Sequence, residues 1–179
     1  LSLERLDKLS SANITVLKSA SNEGLCATRR KLINECRTAL SVFIDDDDTI
    51  EPSYLEKTLE TYNSNKFSAN AILTWRKNFG SNDHLVINHN IDDYEFFLWN
   101  DLRMTSLIET SALRSVNFRP SMRHGEADDW DFWLRFNEMG YKAAMVPEAR
   151  ILSMSKLGRI PDDLMLEIMT SRETFRLDA

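Results

Sequence analysis

The sequence predicts an α/β domain in which helices pack on a largely parallel sheet. Three observations carry that expectation. Short apolar runs rich in β-branched and aromatic residues alternate with stretches whose apolar residues recur every three or four positions. From Ile14 to Tyr62 this alternation runs strand, helix, strand, helix, the order of a sheet built by crossovers. No internal repeat, linker or low-complexity stretch divides the chain, so residues 1–179 read as one domain.

The elements follow in order. Leu3, Leu6 and Leu9 lie on one side of a helix that ends near residue 10. Ile14-Thr15-Val16-Leu17 is a short strand, and Asn22-Glu23-Gly24 opens a helix carrying Leu25, Leu32, Ile33 and Cys36 at helical spacing. A strand over 40–44 comes next. Pro52 suits the first turn of the following helix, whose stripe is Leu55, Leu59 and Tyr62. Ala71–Trp75 and His84–Ile87 are strands flanking a Gly80-Ser81-Asn82-Asp83 turn. Asp92–Asn100 reads as a short helix, Met104–Ile108 as a strand and Ser111–Val116 as a helical turn. Asp128–Met139 is a helix stopped by Gly140, a residue suited to the left-handed position past a helix end. Tyr141–Val146 and Arg150–Ser153 are short strands. Pro161 opens a last amphipathic helix with Leu164, Met165, Ile168 and Met169 inward.

Composition narrows the function. A net charge of −6, with no Lys/Arg stripe, argues against nucleic acid as a partner. No stretch reaches the roughly 18 apolar residues of a membrane span. Cys26 and Cys36, if on one helix, stand roughly 15 Å apart, too far for a disulfide, so a reducing compartment is expected. Three histidines and two distant cysteines give no zinc spacing.

Two acidic stretches carry the chemistry. Asp45-Asp46-Asp47-Asp48 follows the apolar run Leu40–Ile44, with Pro52 four residues on. Ligands of open α/β sheets sit at the carboxyl ends of strands. Carboxylates fixed there suit Mg²⁺ or Mn²⁺ and, through the metal, a diphosphate; the bland alternative is a solvated acidic turn. An EF-hand is excluded, because Ile50 stands where the loop needs Gly and Pro52 interrupts it. In the second stretch, Gly125-Glu126-Ala127-Asp128-Asp129-Trp130-Asp131-Phe132-Trp133-Leu134-Arg135, Asp128 and Asp129 fall at a helix N-terminus, where the dipole favours ionised carboxylates. They are either cap residues or a proton acceptor. Trp130 and Trp133 read as core or cleft wall, and Asp131 with Arg135 as a structural i, i+4 pair. A metal site and a separate base are what sugar transfer from a nucleotide donor requires.

Three blocks in order resemble the GT-A glycosyltransferases of family 2. Asn22-Glu23-Gly24-Leu25-Cys26-Ala27-Thr28-Arg29 resembles the N-x-G-x-x-x-A-R segment, with Thr28 and Arg30 in place of the usual Ala and Asn around Arg29. Phe43 to Pro52 is similar to the D-x-D segment, and Asp128 to Arg135 to the E-D-W-D-x-W-L-R segment. The likeness covers roughly residues 13–155. It implies a Rossmann-like three-layer sandwich with a mixed, mainly parallel sheet. It also implies that the two opening strands of the fold, which hold the nucleotide base, are lacking. The chain is therefore expected to be a piece of a larger domain or chain and to need the rest for activity. The implied activity is a hexosyltransferase-type inverting transfer from a nucleoside-diphosphate sugar, foremost a UDP-sugar, to a glycan or lipid-linked acceptor, assisted by Mn²⁺ or Mg²⁺. Arg29 would meet the donor diphosphate; Asp45 and Asp46 would face the donor; Asp47, with Asp45, would hold the metal. Asp129 would be the general base and Asp128 its acidic neighbour orienting the acceptor. Ser153-Met154-Ser155 stands where members often carry a histidine-bearing loop, and no histidine is present there. A cytoplasmic setting, peripheral to the inner face of a membrane, goes with this activity. The alternative is a non-catalytic sugar- or nucleotide-binding relative, or an interaction domain on the same scaffold.

Overall fold

The computed structural model describes residues 14–45, 48–65, 68–80, 84–99, 102–122 and 127–155. The helices expected before residue 11 and from Pro161, and the turn over 81–83, lie outside these. In chain order the elements are α1 (Leu25–Glu35), β1 (Leu40–Ser41), β2 (Asp48–Ile50), α2 (Tyr54–Ser64), β3 (Ala71–Gly80) and β4 (His84–Val86). A 3₁₀ turn (Tyr94–Phe97), β5 (Leu107–Glu109), α3 (Thr110–Val116), α4 (Asp128–Glu138) and β6 (Ala143–Ser155) follow.

The strands form one mixed sheet in the order β1-β5-β3-β6-β2, with β4 also paired to β3. Its longest pairing, β3 with β6, is parallel, as expected of a strand that returns through a helical crossover. The four other pairings are antiparallel, so parallel character is confined to the centre of the sheet. Side chains alternate across β3 in the period-2 manner of a strand. Ala71 and Leu73 join a core with α1, α3 and α4, whereas Ile72 joins Tyr54 of α2, Leu107, Val146 and Ile151 on the other face. The result is three layers, helix–sheet–helix.

Several elements differ from the sequence expectation. Ile14–Leu17 is exposed and forms no strand, because no described strand offers it a ladder of partners. The strand expected over 40–44 shrinks to Leu40–Ser41, half-buried at the sheet edge. In α2 the buried positions are Tyr54 and Thr58, and Leu55 and Leu59 face solvent. The i, i+4 stripe one residue earlier won because the Tyr54 ring fills the second core while its hydroxyl donates to the Thr105 carbonyl at 3.2 Å. In α1 the inward positions are Cys26, Arg29 and Ile33, with Leu32 exposed. The two strands expected over 141–153 are one strand, β6, with a shift of register against β3 between Val146 and Arg150. Pro147 falls in that shift, where its missing N–H costs no ladder bond. Both cysteines are free.

Candidate active site

Asn22 and Gly24 set the phase of α1. The Asn22 carboxamide oxygen accepts the Gly24 N–H at 2.9 Å, and Gly24 adopts φ 84°, a conformation open to glycine. Helix α1 therefore begins at Leu25 with position 29 turned inward. Arg29 is only 3% exposed. Its neighbour Arg30 lies across the helix and donates to the Phe118 carbonyl at 2.6 Å, pinning the chain after α3.

At the far end of the core, Ala127 enters α4 in the left-handed region, φ 56° and ψ 38°. For a residue with a Cβ this conformation costs about 1–2 kcal/mol and persists only where packing imposes it. Ala127 sits in the main core, and Trp130 and Trp133 behind it are fully buried. The Trp130 indole N–H donates to the Phe96 carbonyl at 3.1 Å, and that of Trp133 to the Arg103 carbonyl at 3.3 Å. Both tryptophans are core. Asp131 pairs with Arg135 at 2.8 Å and with Arg119 at 3.0 Å, while Arg135 also donates to the carbonyls of Val116 and Asn117 at the end of α3. That pair is structural, as the spacing suggested.

Asp128 and Asp129 are not spent as N-caps. The cap position is Ala127, which has no side-chain oxygen. Both carboxylates instead meet Arg29: Nη1 donates to Asp128 Oδ2 at 2.8 Å and to Asp129 Oδ1 at 2.5 Å. Nη2 stands 3.5 Å from Asp45 Oδ1. The guanidinium carbon lies 5.8 Å from the Phe43 ring centre and 5.2 Å from that of Phe118. One buried cation thus gathers a carboxylate from the segment after β1 and two from the start of α4, Asp129 lying 100 residues beyond Arg29 in the chain. Of the sequence-derived candidates, Arg29, Asp45, Asp128 and Asp129 are brought together. Asp46 and Asp47 lie outside the described residues.

The electrostatics separate the two neighbouring acids. Burial, the adjacent Asp129 charge and too little relief from Arg29 push the Asp128 carboxyl up to about 6. Burial works against the charge on Arg29, but Asp129 and Asp128 outweigh it and raise its pKa, so it stays a cation. Asp129 is the more accessible acid, with 15% of its side chain exposed against 8% for Asp128. Phe43 and Phe118, the walls around the guanidinium, were not legible as site residues. Their signal, an aromatic ahead of the acidic run and another after α3, is the ordinary signal of core.

These positions belong to a known pattern. Residues 2–129 match the sequence profile of glycosyl transferase family 2. The chain belongs to that family. No curated protein matches the sequence. Among solved structures, S. aureus TarS residues 1–349 in complex with UDP-GlcNAc matches with TM-score 0.67 and 14% identity, over 88% of this chain and 47% of that one. A second structure of S. aureus TarS 1–349 gives TM-score 0.66 and 13% identity, over 86% and 47%. TarS as a whole gives 0.62 and 14%, over 85% and 28%. This family 2 chain therefore has the GT-A fold and spans less than half the length of those structures. No described helix is long and apolar enough to cross a membrane.

Proposed function

We propose that this chain carries the catalytic carboxylates of an inverting glycosyltransferase that takes a sugar from a nucleoside-diphosphate donor to an acceptor hydroxyl. The observation that supports it is the convergence of Asp45, Asp128 and Asp129 on the Arg29 guanidinium. The family 2 match and the similar TarS structures, in complex with UDP-GlcNAc and with UDP, favour a UDP-sugar as donor. A glycan or lipid-linked hydroxyl is the acceptor, and the inner face of the membrane is the proposed setting.

The chemistry runs through the chain's own residues. Asp129, as general base, takes the acceptor hydroxyl proton while the acceptor oxygen bonds to the anomeric carbon and the bond to the diphosphate oxygen breaks. Asp128 orients the acceptor beside it. Asp45 faces the donor. A divalent cation is part of the proposal, with Asp45 and Asp47 as its protein ligands. The Asp45 side chain is 41% exposed, and its oxygens suit a hard ion that completes its shell with water and phosphate. When bound, Mn²⁺ or Mg²⁺ would neutralise charge on the departing diphosphate.

The test is turnover of the full-length protein against a panel of nucleotide sugars, with Mn²⁺, Mg²⁺ or chelator. Transfer from one donor, lost with chelator, is the expected result. If no nucleotide sugar is consumed but UDP with Mn²⁺ raises the melting temperature, the chain is a non-catalytic binding relative; if the melting temperature is also unchanged, it is an interaction domain on the same scaffold.

A further inference from the structure

We propose that Arg29 is a positioning residue for the base, Asp129, and that it stays with the carboxylates rather than turning to the donor diphosphate. This rests on the glycosyltransferase reading of the site. Arg29 is one of the few charged side chains buried in the described structure, between the Phe43 and Phe118 rings. Its Nη1 has two hydrogens, and both are used, one on Asp128 Oδ2 and one on Asp129 Oδ1. For Nη1 to turn to a phosphate, Asp128 and Asp129 would have to give up its two hydrogen bonds at largely buried positions, which is the expensive way to break a buried ion pair. Held by Oδ1, the Asp129 carboxylate is fixed in place for the acceptor proton. The planar fork also fixes the angle between the two acids, which a single ammonium nitrogen would not.

Four forms of the full-length protein decide it: wild type, Arg29→Lys, Asp129→Asn and the double variant. Each is read for kcat and KM with the active donor, and for UDP affinity by calorimetry with Mn²⁺ present. Arg29→Lys should bind UDP within about twofold of wild type. Its kcat should fall about a hundredfold, the scale of a displaced catalytic group. The double variant should be no slower than Asp129→Asn alone, because both changes remove one unit of function. UDP binding weakened about tenfold in Arg29→Lys with kcat kept, or losses that multiply in the double variant, would overturn the proposal. Asp129→Asn serves even if Arg29→Lys fails to fold. If Arg29 were shared with the diphosphate, loosening its carboxylate partner would tighten UDP; unchanged affinity supports the positioning role. A wild type that neither binds UDP nor transfers sugar removes the glycosyltransferase reading first, and this proposal with it.

Discussion

Asp128 and Asp129 are adjacent in the chain and unequal in surroundings, and the inequality yields two expected outcomes. Asp129→Asn keeps the size and one oxygen but cannot take a proton. Turnover should fall about 10²–10⁴-fold with donor affinity nearly unchanged. Turnover kept at the wild-type level in steady-state assays would return Asp129 to a structural role. For Asp128 the sign follows from its raised carboxyl. Between the ordinary carboxylate pKa and the folded value, the folded chain holds a proton that the unfolded chain has lost. Asp128 therefore favours folding at low pH, and that contribution fades as pH climbs through about 6. Thermal melts of wild type and Asp128→Asn across pH 4 to 7 should show the variant gaining on wild type as pH rises. At this scale the sequence singled out Asp45, Asp128 and Asp129 but not the contacts that bring them together. The resemblance pointed Arg29 at the donor diphosphate, and its carboxylate partners are distant in the chain. Only three-dimensional closure shows that Arg29 is inside and Arg30 is turned to a backbone carbonyl.

At the scale of elements, Ala127 is the informative joint. Ala127→Gly should change stability little, because relief of about 1–2 kcal/mol of left-handed strain is offset by about 0.8 kcal/mol of lost methyl burial and by the greater chain entropy of glycine. Ala127→Val cannot adopt that conformation without a larger penalty. Its midpoint in urea should drop clearly, and its kcat with it, since the start of α4 would be re-aimed. Equal midpoints for the two variants would show that the joint is unstrained. Helix periodicity located α1, α2 and α4 correctly but misassigned the inward face of α2 by one residue. Leu55-Leu59 and Tyr54-Thr58 are equally good i, i+4 pairs, and apolarity alone chose the wrong one. Tyr54 is inside because its hydroxyl has a carbonyl to bond, a fact of the neighbouring loop rather than of the helix.

For the whole molecule, β3 is the spine. It pairs with β6 along one side and with β4 and β5 along the other, and both cores rest on it. Hydrogen exchange should therefore be slowest at the amides of Ile72 and Leu73 and fast in the edge strand β1; the reverse order would deny β3 that role. The alternation of short strands and helices made an α/β sandwich legible from the sequence. Strand order was not, because strands of two or three residues carry too little pattern to name their neighbours, and four of the five pairings turned out antiparallel.

The Arg29 cluster has a consequence for the order in which partners arrive. Three carboxylates around one guanidinium leave the site with an excess of two negative charges when all are ionised. A nucleotide sugar is itself an anion, so the proposed donor, arriving alone, would meet repulsion beside largely buried carboxylates, where charges are poorly screened. Under the proposed function, the donor expected to dock is one already carrying a divalent ion. Capture should then be ordered, with the metal–nucleotide chelate entering as one body and free nucleotide acting as a poor competitor. In stopped-flow association, free UDP should bind faster as ionic strength rises, while the Mn²⁺ chelate, with most of its charge cancelled, should hardly respond.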